Sequence, residues 1–205
     1  LVVDQNGALS IQEVPKPSYN EYQALVKMLS CGVCNGTDMK LIHGNFKNFN
    51  SYPAILGHEG VGVVVEVGDK AENLKIGDMV LLPFLEEKVG ELTPGWGAYS
   101  EYAVVGDALA CAKYGRGEGT PFFNEGYLAQ TVIRPTDHVD AVGASMIITF
   151  REVLSAIRRF GWRPNENVLI YGAGPVGLCF TKFAKLLGMG TVITTDIVDE
   201  KVEAA

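Results

Sequence analysis

A single stretch near the C-terminal end most restricts what this chain can fold into. Asn167 to Tyr171 is an almost unbroken apolar run, the pattern of a strand buried on both faces of a parallel sheet. Gly172-Ala173-Gly174-Pro175-Val176-Gly177 follows at once. From Pro175 the pattern is helical as far as Leu187, where Gly188 stops it, and Thr191 to Thr195 reads as a second strand ending at Asp196. Strand, tight turn, helix and strand in that order make one βαβ unit, which commits this part of the chain to a parallel sheet. Two strands cannot cover the faces of such a sheet, so the pattern predicts the first part of a larger one.

The turn also has a chemistry. Gly172 permits the tight bend, Gly174 lets the backbone approach a pyrophosphate, and Gly177 lets helix and strand pack closely. The free N–H groups at the helix start, opened by Pro175 and Val176, would face phosphate charge. Asp196 lies roughly 20 residues beyond the turn, where an acid accepts hydrogen bonds from the adenosine ribose hydroxyls. A 2′-phosphate there would meet a like charge, and Ile197-Val198-Asp199 supplies no Arg or Lys to relieve it. The expected ligand is therefore NAD rather than NADP.

The first half has a different texture. Ala24 to Met28, Gly60 to Val67, Asp78 to Phe84 and Tyr99 to Val105 read as short strands broken by Gly and Pro, the spacing of a small β-barrel or folded sheet. Gly106 to Glu125 lacks periodicity and reads as an excursion. Asp137 or Asp140 is placed to cap a helix reaching Phe160, with Leu154, Ile157 and Phe160 on one face and Gly161 and Pro164 behind it. His138 reads as a loop residue, and Trp96 and Trp162 as apolar covers over turns. The expected domains are 1–150 and 151–205, the class mixed α/β.

Composition removes several function classes. The 17 basic side chains are outnumbered by 24 acidic ones and form no basic cluster, so neither nucleic acid nor an anionic membrane surface is an expected partner. The longest apolar runs are too short to span a bilayer. No basic segment followed by an apolar stretch opens the chain. The 4 cysteines suit a reducing compartment, and the expected location is the cytoplasm.

Cys31-Gly32-Val33-Cys34 precedes Asn35-Gly36-Thr37-Asp38, and Gly57-His58-Glu59 follows some way on. A thiolate and an imidazole are two of the ligand types a catalytic zinc takes, with a third protein ligand and one open position. Together with Gly60-Val61-Gly62, Ile76-Gly77-Asp78-Met79-Val80, Gly97-Ala98-Tyr99-Ser100-Glu101-Tyr102 and the late glycine turn, these strings resemble, in order, the motifs of the medium-chain, zinc-type alcohol and polyol dehydrogenases, the sorbitol and threonine dehydrogenases among them.

The resemblance implies a GroES-like β-barrel catalytic domain followed by the first part of a Rossmann doubly wound sheet, whose later strands the chain would not include. It implies Cys34 and His58 as zinc ligands, Glu59 as an acid at the metal that sometimes binds it, and Thr37 as the hydroxyl that passes the substrate proton toward solvent. Lys40 falls where many members carry a relay histidine; a solvated surface lysine is the equal alternative. A small alcohol or carbonyl substrate and a homo-oligomer, dimer or tetramer, are implied as well.

Three departures bear on the site. Cys34 and Thr37 are separated by one residue more than in the commonest form. Leu85 to Gly95 carries no cysteine, so no structural zinc is expected. Where the family supplies its third zinc ligand, Ala144 to Arg151 offers none: Ile147 or Ile148 holds the place, and Glu152 is offset by about one helical turn. Two outcomes stay open, a zinc held by Cys34, His58 and Glu59 with water, or a weak or absent metal. The expected activity is NAD-dependent oxidation of a polyol or sugar-like alcohol with one catalytic zinc. The alternatives are a zinc-free reductase of the same superfamily and an NAD-binding protein without turnover. Cys179 reads as a core residue, Cys111 and Cys31 have no named partner, and His43 is kept in view for its nearness in sequence.

Overall fold

Short strands rich in Val and Ala shape the first part of the protein, because alternate side chains along each strand turn to one shared face. The computed structural model describes residues 1–133 and 139–205, so Asp137 and His138 lie outside the described residues. The backbone divides into two units, Leu1–Met146 and Ile147–Ala205.

In the first unit β1 is Val2–Val3, β2 Leu9–Ser10, β3 Gln23–Gly32, α1 Thr37–Ile42, β4 Ala54–Ile55, β5 Glu59–Val67, β6 Met79–Leu81, β7 Thr93–Pro94 and β8 Tyr102–Gly106. Helix α2, Ala108–Lys113, a 3-10 turn at Glu125–Leu128 and β9, Thr131–Ile133, follow. The strands form a four-stranded sheet in the order β2-β1-β4-β7 and a five-stranded sheet in the order β8-β3-β5-β6-β9. Strand β3 is central to the larger sheet, antiparallel to β8 on one side and to β5 on the other, from Ala24 opposite Val67 to Gly32 opposite Glu59. Ala24, Val26, Val64, Leu74, Val80 and Val105 form one buried cluster. Val2 and Ile55 pack with Leu85, Leu92 and Ala103 in another, so the two sheets share a core. Burying each Val or Leu contributes about 1.5–3 kcal/mol, the main favourable term here.

Two strands are shorter than their apolar runs. The run from Asp78 to Phe84 leaves its ladder after Leu81, because Leu82 adopts φ 57° and Pro83 has no N–H to donate. Tyr99 and Ser100 precede β8 rather than opening it. The Tyr99 N–H donates to the Leu56 carbonyl at 2.9 Å, and the Ser100 hydroxyl lies 2.6 Å from the Gly97 carbonyl. These residues hold a turn.

The aperiodic excursion is ordered by side chains that no period reveals. Asp107 caps α2 by accepting from the Ala110 N–H at 2.9 Å, and it accepts from the Asn73 N–H at 2.7 Å. Buried Tyr127 lies against Gly106, where a Cβ would strike its ring, and its hydroxyl donates to Glu86 at 2.7 Å. Gln23 and Asn124 also donate to Glu86, so this partly enclosed carboxylate is fully partnered.

Helix α3, Ala141–Phe160, starts behind Asp140, whose carboxylate accepts from the Gly143 N–H at 2.7 Å. Asp140 is thus the cap. Val153 and Ile157 pack against Cys179, whereas Phe160, expected on the same face, is 64% exposed. Its position one residue from Gly161, at φ 70°, turns it to the helix end, where it stacks on Phe180 instead. Strand β10, Val168–Tyr171, helix α4, Pro175–Leu186, strand β11, Val192–Thr195, and α5, Asp199–Glu203, complete the second unit. β10 and β11 are parallel, from Val168 opposite Val192 to Tyr171 opposite Thr195. Within this two-stranded part of the sheet Ile170 is buried, and Leu169, Tyr171 and Ile193 are exposed. Helix α4 covers one face, holding Cys179, Thr181 and Ala184 inward, and no described element of this unit covers the other. The mixed α/β class stands. Among the described residues no helix is long and apolar enough to cross a membrane.

Candidate metal and cofactor sites

Cys34 sits in the turn between β3 and α1, and His58 and Glu59 stand at the start of β5. Successive residues of a regular strand point to opposite faces, so His58 and Glu59 would not converge if β5 began before His58. Two glycines change this. Gly57, at φ 101°, takes a backbone that L side chains rarely adopt, and a Cβ there would strike the Tyr99 backbone. Gly32, the register partner of Glu59, has no Cβ, and the Glu59 carboxylate lies in the space one would fill. One ligand atom each from Cys34, His58 and Glu59 then lies within 4.8 Å of the others.

A buried carboxylate supports this cluster from behind. Asp38, on the first turn of α1, is 4% exposed. Its Oδ2 accepts from the Cys34 N–H at 3.0 Å and from the Tyr99 hydroxyl at 2.8 Å. Its Oδ1 faces His58 Nδ1 at 3.4 Å, longer than a closed N–H···O bond, and neither of these two buried atoms has another hydrogen-bond partner. With Nδ1 turned to Asp38, Nε2 is the nitrogen left for a metal, the arrangement that fixes tautomer and ring orientation in metal-bound histidines.

The electrostatics agree. Burial works against a charged His58, but the Asp38 carboxylate and the Cys34 sulfur outweigh it and raise the imidazole to about 9. Burial likewise pushes the Cys34 thiol up, yet the Thr37 N–H, 3.5 Å from its sulfur, and the His58 side chain pull it below its ordinary value. Burial also opposes ionised Asp38, and His58, Tyr99 and the Cys34 amide together hold it low. Burial pushes Cys31 up to about 12, so the two thiols of the Cys31–Cys34 pair shift in opposite directions.

The donor set fits zinc. Sulfur, imidazole nitrogen and carboxylate oxygen are its three protein ligand types, and the buried Asp38 Oδ1 faces Nδ1 of the imidazole. On α3, within the second unit, Ile148 is buried and Glu152 exposed.

Thr37 is half-buried beside Cys34, and Lys40 is exposed one helical turn farther on. His43 ends α1 and is exposed. Trp96, expected merely to cover a turn, has its ring centroid 5.5 Å from that of His58 and meets Phe46 edge-on at 5.6 Å. Asp38, Tyr99 and Gly32 are residues that sequence reasoning did not single out, and Trp96 was read as a turn cover alone. For Asp38, Tyr99 and Gly32, only the motif strings containing them marked the neighbourhood.

In the second unit Gly172 has φ 98°, and a Cβ on Gly177 would collide with the Gly172 carbonyl. Both glycines are needed by the turn itself. Gly174 is different: its φ of −72° suits any residue, and a Cβ there would meet nothing within 4 Å. Its bareness leaves the backbone open beside the helix start, where Pro175 occupies the first position and Val176 is 53% exposed. Asp196 Oδ2 accepts from the Ala173 N–H at 2.8 Å and Oδ1 from Val198 at 3.0 Å, contacts that keep it ionised and tie it to the turn.

A family model described as the alcohol dehydrogenase GroES-like domain matches residues 20–140. An alcohol dehydrogenase from Geobacillus stearothermophilus is 35% identical over 97% of this chain and 57% of its own length. A sorbitol dehydrogenase from Bombyx mori is 28% identical over 95% of this chain and 55% of its own. Among solved structures, an alcohol dehydrogenase from Escherichia coli CFT073, complexed with NADH, superposes with a TM-score of 0.70 at 27% identity, over 98% of this chain and 57% of that one. The chain thus spans little more than half the length of these relatives.

Proposed function

Because the chain belongs to the family of the alcohol dehydrogenase GroES-like domain, we propose that the protein interconverts an alcohol and its carbonyl compound, with NAD as hydride acceptor and one zinc ion held by Cys34, His58 and Glu59. The observation that carries this reading is the convergence of the three donors within 4.8 Å in front of the Asp38 carboxylate. Zinc, when bound, polarises the alcohol oxygen and makes its proton acidic.

The chain's own residues supply the rest. The Thr37 hydroxyl, beside Cys34, takes up the substrate proton, and Lys40, exposed on the next turn of α1, passes it to solvent. Gly172, Gly174 and Gly177, with Pro175 and Val176 opening α4, receive the pyrophosphate, and Asp196 receives the ribose hydroxyls and repels a 2′-phosphate. A polyol or sugar-like substrate is favoured by the likeness to the Bombyx mori sorbitol dehydrogenase. The family likeness also supports a cytoplasmic homo-oligomer.

Purified protein should reduce NAD in the presence of a polyol such as sorbitol, and Cys34→Ser should abolish that turnover while NADH binding persists. Unchanged turnover in Cys34→Ser would remove zinc from the reaction. Turnover of a quinone or enone by metal-free protein would assign the fold to the zinc-free branch.

A further inference from the structure

Behind the metal donors lies one carboxylate that touches both Cys34 and His58, and one phenol that holds it. We propose that Tyr99 is a positioning residue of the metal site, its phenol holding the Asp38 carboxylate in the orientation that presets Cys34 and His58. This inference rests on the zinc reading above.

The argument begins with the carboxylate. Asp38 touches both the backbone of Cys34, through Oδ2, and the ring of His58, through Oδ1. A carboxylate turns easily about its last torsion, which has no sharp staggered wells. The Cys34 N–H alone, one bond to one oxygen, would leave that torsion loosely set. The Tyr99 hydroxyl adds a second anchor on Oδ2, at 2.8 Å, and so aims Oδ1 at His58 Nδ1.

The same hydroxyl lies 2.9 Å from the Gly32 carbonyl and shares its one proton between the two acceptors. Gly32 is the residue whose bare Cα seats the Glu59 carboxylate. The phenol is therefore linked to Cys34 and His58 through Asp38, with the Gly32 carbonyl as its second acceptor. Tyr99 is itself fixed. Its N–H donates to Leu56 at 2.9 Å, and its ring occupies the space that a Gly57 Cβ would take.

The test is a double-variant cycle on zinc affinity, measured with metal-free protein in competition with a chromophoric chelator. Tyr99→Phe keeps the ring and removes only the hydroxyl. It should weaken zinc binding about 10–100-fold, the effect of losing an outer partner of a metal ligand. Asp38→Asn should weaken it at least as much. The double variant should match Asp38→Asn alone, because the phenol acts through that carboxylate. The cobalt-substituted Tyr99→Phe protein should show a shifted visible spectrum, a change in ligand field that a role confined to stability would not cause. Wild-type affinity in Tyr99→Phe, or losses that multiply in the double variant, would overturn the inference while leaving the zinc site standing. Failure of the wild type itself to bind zinc would overturn the zinc reading instead, and the inference with it.

Discussion

At the residue scale the site depends on what two glycines lack. Gly57 lets the chain turn into β5 against Tyr99, and Gly32 leaves room for the Glu59 carboxylate, so His58, just before β5, and Glu59, its first residue, can serve one centre. In Gly32→Ala the new methyl would meet the far end of a flexible side chain, which can swing aside at small cost to the fold. The expected outcome is a nearly unchanged thermal midpoint and a zinc affinity lowered at least about tenfold. Zinc titrations and thermal melts on the same preparation check both halves.

His58 gives a second prediction. A metal needs the neutral imidazole, and its protonation is raised to about 9 by Asp38 and Cys34 against the opposing effect of burial. Below that pH, binding must expel the His58 proton, so apparent zinc affinity should rise about tenfold per pH unit from this group alone. A flat affinity profile between about pH 6.5 and 8.5 would show that the proton is already absent. Cys34, His58 and Glu59 were legible in the sequence because thiol, imidazole and carboxylate announce their chemistry. Asp38 and Tyr99 were not, because a buried acid and a distant phenol become partners only when β3, α1 and the turn before β8 meet.

At the scale of elements, period and punctuation read well where one local rule decides the outcome. The strand, glycine turn and helix from Val168 to Leu186 formed where their pattern placed them, and Asp140 capped α3 by the carboxylate bond that a cap requires. The readings that shifted are those where a side chain overrode the pattern. Pro83 and Leu82 cut β6 short, and Asp107, Tyr127 and Glu86 organised an excursion that shows no period. The glycine turn offers a test at this scale. Gly177→Ala would drive a methyl into the Gly172 carbonyl, a backbone atom that cannot swing away. Separation of α4 from β10 should lower the thermal midpoint by several degrees and weaken NADH binding, followed by nicotinamide fluorescence. Gly174→Ala meets no atom of the protein and should weaken NADH binding alone. Equal thermal losses in both variants would contradict the separate roles given to the two glycines.

At the scale of the whole molecule, the order of motifs along the chain carried the family, and the match over residues 20–140 states it directly. Neither substrate nor assembly was legible in the same way, because both depend on surfaces set by sequence well beyond any one motif, and the chain spans 57% of the Geobacillus stearothermophilus relative. The central claim is narrower: Cys34, His58 and Glu59 hold one zinc ion, and Cys31 is not among the converging donors. Zinc X-ray absorption on the metal-loaded protein, with the metal content of the same sample, tests this most directly. The account predicts about one zinc per chain with a single sulfur at about 2.3 Å and the remaining scatterers nitrogen or oxygen at about 2.0–2.2 Å. A metal-free protein, or a shell with two sulfurs, would contradict it.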